Sequence, residues 1–282
     1  MEYSKSPFNY TGNKFRIIKQ IQQWFPQKIN TMVDLFCGGC DVTINTEANH
    51  KYANDINFFL IDILKEFQKR GKESIVYIED TIEQWKLDKD NKEAYLAFRR
   101  YWNQHKEPLD LFVLLCYSFN YQLRFNAKHE FNNPFGKDRS SFNGAIRSNL
   151  LKMLPRIEKV HFSSSDFLHF DYSVLHRNDF LYADPPYLIT CGCYNDGKCG
   201  FRGWNENDET ALYGILDRLS KRGVLFALSN VLEHKGNQNT ILYDWQEKNH
   251  YHMHQIDCNY NNCNYHTRNR ENPTTEVLIT NY

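Results

Sequence analysis

Apolar positions in the first part of the chain recur with two different spacings. Over residues 13–25 they follow the three-and-four spacing of an amphipathic helix. Residues 31–36 form a short apolar run that predicts a buried strand, and the glycine pair at 38–39 predicts the turn that leaves it. A helix is expected from Asp41, and a second strand over residues 52–55. The pattern therefore begins as strand and helix in alternation.

The pattern changes over residues 59–158, where most apolar positions follow helical spacing. Pro108 begins a strongly apolar helix in this region, since proline is favoured at the first helical position. Residues 125–136 are polar and rich in turn-forming residues, which predicts a β-hairpin. We expect a mainly helical insertion that contains this hairpin.

After residue 159 the alternation of strand and helix returns. Predicted strands cover residues 180–183, 224–228, 253–256 and 276–279, and predicted helices cover residues 212–219 and 241–248. Strands that alternate with helices are typical of a mostly parallel sheet covered on both faces. The predicted fold class is α/β with a doubly wound sheet. Residues 1–58 and 159–282 form one discontinuous domain, and residues 59–158 interrupt it.

Composition excludes several classes of protein. The chain has 282 residues, of which 41% are hydrophobic and 24% charged, as in an ordinary globular protein. Apolar runs stay well short of the roughly 18 residues that cross a membrane, and residues 1–10 show no secretory signal. The eight cysteines are therefore expected to be reduced thiols of a cytoplasmic protein.

Charge is balanced over the whole chain but not locally. Lys and Arg number 34, and Asp and Glu also number 34. Residues 121–160 carry eight basic and three acidic side chains, a local excess of five. A basic patch can bind nucleic acid, but taken alone this excess favours an ordinary solvated surface.

The motif Asp184-Pro185-Pro186-Tyr187 directly follows the predicted strand at residues 180–183. Ligands bind beyond the carboxyl ends of strands in open α/β sheets, so this loop is a candidate reactive site. Two prolines stiffen the loop and remove two N–H donors, which leaves a carboxylate, carbonyl groups and an aromatic ring. Such a set suits the amine of a nucleobase that has been flipped out of a duplex. The alternative is a rigid turn with an incidental aspartate.

Residues 34–39 predict a second part of the same site. The glycines allow the backbone to approach a ligand closely. Asp55 follows Phe36 by 19 residues, near the roughly 20-residue offset at which an acidic side chain meets a ribose hydroxyl. Neither the G-x-G-x-x-G fingerprint nor a triphosphate-binding loop occurs in the sequence. Together with the Asp184 loop, these residues favour the adenosine part of S-adenosylmethionine, although a plain tight turn would contain the same residues.

Three segments in this order resemble the Dam-type DNA adenine-N6 methyltransferases of the D12 class, namely residues 10–14, 34–39 and 184–187. The likeness covers nearly the whole chain and is closest to the enzymes of T-even bacteriophages. It implies a Rossmann-like fold, S-adenosylmethionine as methyl donor without a metal, and catalysis by Asp184, Pro185, Pro186 and Tyr187. The implied cofactor site consists of Tyr10, Lys14, Phe36, Cys37, Gly38, Gly39, Cys40, Asp41, Asp55, Asp166, Phe167, Asp184 and Tyr194.

The same resemblance makes residues 59–158 a target-recognition domain for double-stranded DNA. The implied DNA contacts are Arg124, Asn126, Lys128, Pro134, Lys137 and Arg139. Arg124 is expected to read the guanine of a GATC site, since arginine bound to guanine O6 and N7 is the commonest specific base contact. The sequence departs from the family pattern at Asp138, where a basic residue is expected, and over residues 191–199, which are longer than the pattern.

Alternatives remain open at this point. A zinc site could use Cys191, Cys193, Cys199, Cys258, Cys263 and His266, but these lack paired C-x-x-C spacing, so no metal is predicted. A non-catalytic DNA-binding protein would keep the same fold, and cytosine-N4 or RNA adenine methyltransferases use similar proline loops. Asp184 and Lys14 favour catalysis on adenine. We expect a monomer or weak dimer on DNA, without membrane contact, in the cytoplasm of a bacterium or a phage-infected host.

Overall fold

The computed structural model describes residues 2–10, 12–190, 201, 203–257 and 274–282. The strands are β1 (Thr31–Asp34), β2 (His50–Asn54), β3 (Val160–Ser163), β4 (Phe180–Ala183), β5 (Leu225–His234), β6 (Asn237–Gln238), β7 (His252–Ile256) and β8 (Thr275–Thr280). The α-helices are α1 (Ile18–Gln22), α2 (Asp41–Asn45), α3 (Phe58–Arg70), α4 (Glu73–Trp85), α5 (Lys92–His105), α6 (Pro108–Tyr117), α7 (Gly144–Ile157), α8 (Glu206–Lys221) and α9 (Thr240–Asn249). Short 3-10 helices cover Phe119–Tyr121, Phe167–His169 and Tyr172–Val174.

The strands within these residues form one sheet in the order β3-β2-β1-β4-β5-β8-β7, and β6 pairs with β5. The run from β3 to β5 is parallel, whereas β8 is antiparallel to both of its neighbours. From β1 the chain continues outward to β2 and β3, and it then returns to the other side of β1 as β4. A crevice opens where the order reverses, beyond the carboxyl ends of β1 and β4.

Side chains from successive strand residues cover both faces of the sheet. Met32 packs with α1 residues on one face, while its neighbour Val33 packs with α8 and α9 on the other. Phe180 packs on the same face as Met32, and Leu181 packs on the same face as Val33. This period-two alternation is the geometry of a strand, and all four residues of β1 and of β4 are buried. The α/β fold with helices on both faces, predicted from the sequence, is confirmed.

Residues 59–158 are mainly helical, as the spacing of their apolar positions predicts. Pro108 begins α6, whose residues are buried from Leu109 to Tyr117. The helices share one hydrophobic cluster with sheet-proximal residues such as Phe8 and Ala53. The helical segment therefore packs directly on the rest of the chain, and its role as a separate recognition domain stays a prediction.

Two local predictions differ from the structure. The α-helical part of residues 13–25 is only Ile18–Gln22. The expected β-hairpin at 125–136 is reduced to one isolated antiparallel bridge between Phe125 and Phe131. Both rings are buried and hold the loop in place, while beyond the bridge the carbonyl of Asn133 accepts hydrogen bonds from the Tyr95 hydroxyl and the Arg99 guanidinium. Backbone groups used in this way cannot extend a strand ladder.

Candidate active site

A cavity of about 430 Å³ opens at the carboxyl ends of β1 and β4. Its walls come from the N-terminal segment, the turn between β1 and α2, the loop after β4, and residues 121–124 beyond α6. The turn after β1 and the loop after β4 are the two segments that the sequence singles out. They meet because parallel strands bring their carboxyl ends to the same edge of a sheet.

Asp184 lies in the cavity wall directly after β4. The Lys14 ammonium is 2.6 Å from Asp184 Oδ2, and both side chains are largely buried. Lys14 also donates to the carbonyl oxygen of Gly12 at 2.8 Å. Burial raises the pKa of Asp184, and the positive charge of Lys14 opposes that rise. The ion pair thus favours the charged form of a carboxyl group that is mostly removed from water.

Tyr187 contributes its hydroxyl group to the same network. The hydroxyl oxygen is 3.0 Å from Asp184 Oδ1 and 2.8 Å from Glu276 Oε1. The Lys14 ammonium lies 5.2 Å from the centre of the Tyr187 ring, within the range of a cation–π contact. Burial raises the pKa of Tyr187, so the hydroxyl keeps its proton at neutral pH. The sequence motif includes Tyr187 but does not indicate the contacts of its hydroxyl group, and Glu276 is not among the predicted site residues.

The turn between β1 and α2 is held in one conformation by backbone contacts. Asp55 accepts the N–H of Gly38 at 2.9 Å and, with its other oxygen, the N–H of Asn57 at 2.9 Å. Gly38 has φ of +46°, and a Cβ there would lie 2.9 Å from the Tyr10 ring. A glycine is therefore required for both the backbone conformation and the close approach of Tyr10.

Asp34, the last residue of β1, lines the cavity and is 1% exposed. Its Oδ2 accepts the Thr43 hydroxyl at 2.6 Å, while Oδ1 has no hydrogen-bond partner among the described residues. Burial raises the pKa of Asp34 to about 7, against the lowering effect of the Thr43 hydrogen bond. A buried acceptor without a donor is costly, so a donor from a bound ligand would complete this site.

Three aromatic rings form another part of the cavity wall. Phe36, Phe167 and Trp204 have ring centres 5.2 to 5.7 Å apart, and all three line the cavity. The Trp204 indole donates to the buried Glu209 carboxylate at 2.6 Å, which fixes the ring. Such a surface suits the flat face of a heterocyclic base. Trp204 was not predicted, since it lies outside the motifs and only the packing brings it to the site.

The family described as D12 class N6 adenine-specific DNA methyltransferase matches residues 10–262 of this sequence. The chain belongs to this family. It is 48% identical to the type II methyltransferase M.FokI of Planomicrobium okeanokoites over 99% of this chain and 43% of that protein. It is 45% identical to the modification methylase StsI of Streptococcus sanguinis over 100% of this chain and 43% of that protein.

A more distant relative is the DNA adenine methylase of Haemophilus influenzae, which is 29% identical over 64% of this chain and 63% of that protein. The chain spans less than half the length of the first two relatives. All three are bacterial proteins, so the likeness to T-even phage enzymes stays a prediction. The D12 class expected from the motifs is confirmed.

Most cofactor residues expected of a D12 methyltransferase line the cavity. These are Tyr10, Lys14, Phe36, Cys37, Gly38, Gly39, Asp41, Asp55, Asp166, Phe167 and Asp184. Cys40 differs from this expectation, because it is fully buried at the start of α2 and is not part of the cavity wall. Its role in the structure is to complete the turn, with φ of +67°. Tyr194 lies outside the described residues.

Of the six residues expected to contact DNA, Arg124 is exposed and lines the cavity. Lys128, Lys137 and Arg139 are exposed away from it. The Asn126 side chain accepts the N–H groups of Lys128 and Glu130, so it stabilises the loop itself. Likewise the carbonyl of Pro134 accepts the N–H of Phe119 at 2.8 Å.

Part of the basic excess in residues 121–160 is used within the protein. The Arg156 guanidinium donates to the carbonyl oxygens of Ile44 and Glu2, which attaches α7 to the N-terminal segment. Arg147 pairs with Glu79 at 2.8 Å. Because some of these basic side chains bind other parts of the protein, the excess of basic residues does not by itself locate a surface for DNA. The position of Arg124 at the cavity is more informative.

The described part of the chain contains no helix long and apolar enough to span a membrane. It also contains no group of three or more His, Cys, Asp or Glu side chains arranged to hold a metal ion. The cysteines and the histidine considered for zinc, namely Cys191, Cys193, Cys199, Cys258, Cys263 and His266, lie outside the described residues.

Proposed function

We propose that this chain transfers a methyl group from S-adenosylmethionine to N6 of an adenine that is flipped out of duplex DNA. The observation that carries the proposal is the Asp184 carboxylate, which Lys14 and the Tyr187 hydroxyl hold at the wall of a cavity that extends to Arg124. Membership of the D12 class supports adenine N6 as the methylated atom.

The residues at the end of β1 fit the proposed cofactor. Oδ1 of Asp34, which has no hydrogen-bond partner within the described part of the chain, offers an acceptor for a positively charged amino group. Phe36, Phe167 and Trp204 offer apolar aromatic contacts for an adenine ring. When bound, S-adenosylmethionine supplies a methyl carbon on a positively charged sulfur, which leaves as a neutral thioether. Asp34 would bind its ammonium group, and Asp55 its ribose.

Asp184 is proposed to orient the attacking amine. The lone pair of an adenine amine is delocalised into the ring, which makes the nitrogen a poor nucleophile. A carboxylate that accepts one N–H, together with the Pro185 carbonyl that accepts the other, would favour a tetrahedral nitrogen directed at the methyl carbon. The carboxylate would also stabilise the positive charge that develops on the nitrogen. As the new C–N bond forms, the nitrogen loses one proton, and the Asp184 carboxylate that accepts this N–H receives it.

The Pro186 and Tyr187 side chains are proposed to hold the flipped base. Both line the cavity, and a stacked aromatic ring contributes about 1–3 kcal/mol per base. Taking a base out of the duplex is required because the amine is not accessible to an enzyme inside the helix.

Recognition of DNA is proposed to centre on Arg124, with GATC as the site and with Lys128, Lys137 and Arg139 on phosphates. Phosphate contacts set the register and carry no sequence information. We further propose action on DNA as a monomer or weak dimer in the cytoplasm, and a relationship to phage enzymes of the same class.

The test is incorporation of a labelled methyl group into duplex DNA, followed by digestion to nucleosides. We expect N6-methyladenine in the wild-type product, with and without EDTA, and higher rates on duplexes with GATC than on duplexes with a changed first base. N4-methylcytosine would support the cytosine alternative. DNA binding without incorporation would support the non-catalytic alternative, and a rate that EDTA abolishes would contradict the metal-free site.

A further inference from the structure

Glu276 is a buried carboxyl group beside the proposed catalytic aspartate, and none of the sequence motifs includes it. It lies at the beginning of β8 and is 1% exposed. Because β8 is antiparallel to β5, its first residues lie at the sheet edge where the parallel strands end. This direction of the strand brings Glu276 to the Asp184 loop, 92 positions away in the sequence.

Two shared partners connect the carboxyl groups of Glu276 and Asp184. The Tyr187 hydroxyl oxygen is 2.8 Å from Glu276 Oε1 and 3.0 Å from Asp184 Oδ1. The Lys14 ammonium is 2.6 Å from Asp184 Oδ2 and 3.8 Å from Glu276 Oε1. Each carboxyl group is thus linked to the other through one phenol and one ammonium.

The Tyr187 hydroxyl is the direct bridge between the two carboxyl groups. A phenol hydroxyl can both donate and accept a hydrogen bond, and both carboxyl oxygens lie within hydrogen-bond distance of it. Lys14 is much closer to Asp184 than to Glu276, so its positive charge favours the negative charge of Asp184 most strongly.

We propose that Glu276 is a positioning residue for methyl transfer, whose carboxyl group is hydrogen-bonded to the Tyr187 hydroxyl and holds this hydroxyl against Asp184. The chain of hydrogen bonds holds the Asp184 side chain in one orientation. The inference rests on the proposed function of Asp184 as the group that receives the target amine.

The experiment compares Glu276→Gln, Glu276→Ala and Tyr187→Phe with wild type, by kcat and by KM for cofactor and for a duplex that the wild-type protein methylates. Glu233→Ala is the matched control, because Glu233 is an exposed glutamate on the neighbouring strand β5. Thermal unfolding followed by circular dichroism shows whether each variant is folded.

We expect Glu276→Ala to lower kcat about 10- to 100-fold with both KM values within about threefold of wild type, since the Tyr187 hydroxyl loses a buried hydrogen-bond partner. Glu276→Gln should stay within about threefold, because an amide of the same length can still form a hydrogen bond with the Tyr187 hydroxyl. Tyr187→Phe should lower kcat by about as much as Glu276→Ala. If both residues act through the same network, the double variant Glu276→Ala/Tyr187→Phe should have a kcat no lower than that of the slower single variant.

Several outcomes would overturn the inference. One is a kcat of Glu276→Ala equal to that of Glu233→Ala, and another is a loss that appears in KM instead of kcat. A Glu276→Gln variant as slow as Glu276→Ala would show that the hydrogen bond to Tyr187 is not what Glu276 contributes. If Glu276→Ala does not fold, Tyr187→Phe decides, because wild-type kcat in that variant contradicts the proposed chain of hydrogen bonds.

Failure of the proposed function gives a different result. An Asp184→Ala variant with near wild-type kcat, or a wild-type protein that forms no N6-methyladenine, would overturn the proposed function and this inference with it. Wild-type methylation that depends on Asp184 but is indifferent to Glu276 and to the Tyr187 hydroxyl would overturn this inference alone.

Discussion

Asp184 is the side chain on which the proposed chemistry depends most directly. Replacing it with alanine removes the acceptor for the target amine and breaks the ion pair with Lys14. Orientation of reactants and stabilisation of developing charge are both large effects, so we expect kcat to fall at least about 10³-fold, roughly 4 kcal/mol. DNA binding and the folded state should persist.

The measurement for Asp184→Ala is the rate of labelled methyl transfer, with DNA binding followed separately by a gel shift. Asp80→Ala serves as the control, since Asp80 is an exposed aspartate on α4. A variant that keeps a rate within tenfold of wild type would show that the reactive group lies elsewhere.

Arg124 is the residue from which sequence specificity is expected. It is exposed and lines the cavity into which the target base would be flipped. Arg124→Ala should therefore reduce discrimination at one guanine by about 1–3 kcal/mol. The quantity to measure is the ratio of kcat/KM on GATC duplexes to kcat/KM on duplexes changed at the first base.

Lys137→Ala provides the comparison for Arg124, because Lys137 is exposed and does not line the cavity. If Lys137 contacts phosphate, its loss should weaken binding to all duplexes alike and flatten the salt dependence. If Arg124→Ala slows both kinds of duplex equally, Arg124 does not read that guanine.

The turn between β1 and α2 depends on backbone geometry as much as on side chains. Gly38→Ala would add a Cβ 2.9 Å from the Tyr10 ring at a residue with φ of +46°. The turn or the Tyr10 ring must then move, so we expect cofactor affinity to fall about tenfold or more, with the fold retained. Calorimetric titration with S-adenosylmethionine measures this loss.

Gly144→Ala is the matched control for Gly38→Ala. Gly144 is the first residue of α7, and a Cβ there meets no atom within 4 Å. Its replacement should leave cofactor affinity unchanged and add up to about 1 kcal/mol of stability. Equal affinities for the two variants would contradict the requirement for glycine at position 38.

The buried carboxyl groups at the sheet edge should affect the stability of the entire protein. Burial raises the pKa of Asp34 to about 7, whereas an unfolded aspartate titrates near 3.9. Between these values the folded state binds one proton that the unfolded state has lost, so Asp34 makes folding less favourable as pH rises. Asp34→Asn removes this dependence.

We therefore expect the free energy of unfolding of Asp34→Asn, relative to wild type, to increase between pH 5 and pH 7. The limit for one group is about 1.4 kcal/mol per pH unit. Urea unfolding at several pH values measures the difference, and a difference that stays constant or decreases over this range would contradict a raised pKa. A cationic cofactor favours the charged form of Asp34, so wild-type cofactor affinity should increase over the same range.

Sequence alone determined the alternation of strand and helix, and with it the α/β fold class. It also determined that the motifs at 34–39 and 184–187 meet, because each directly follows a strand and the carboxyl ends of parallel strands share one edge. These are local properties, since the spacing of apolar residues and the residue after a strand can be recognised without knowledge of distant contacts.

The tertiary structure decided which side chains complete the site. Trp204 reaches the cavity through its hydrogen bond to Glu209, and Glu276 through the antiparallel direction of β8. The structure also replaced the expected hairpin at 125–136 with a loop held by buried rings. Strand direction and contacts between residues far apart in the sequence depend on how the complete core packs, so no local pattern contains them.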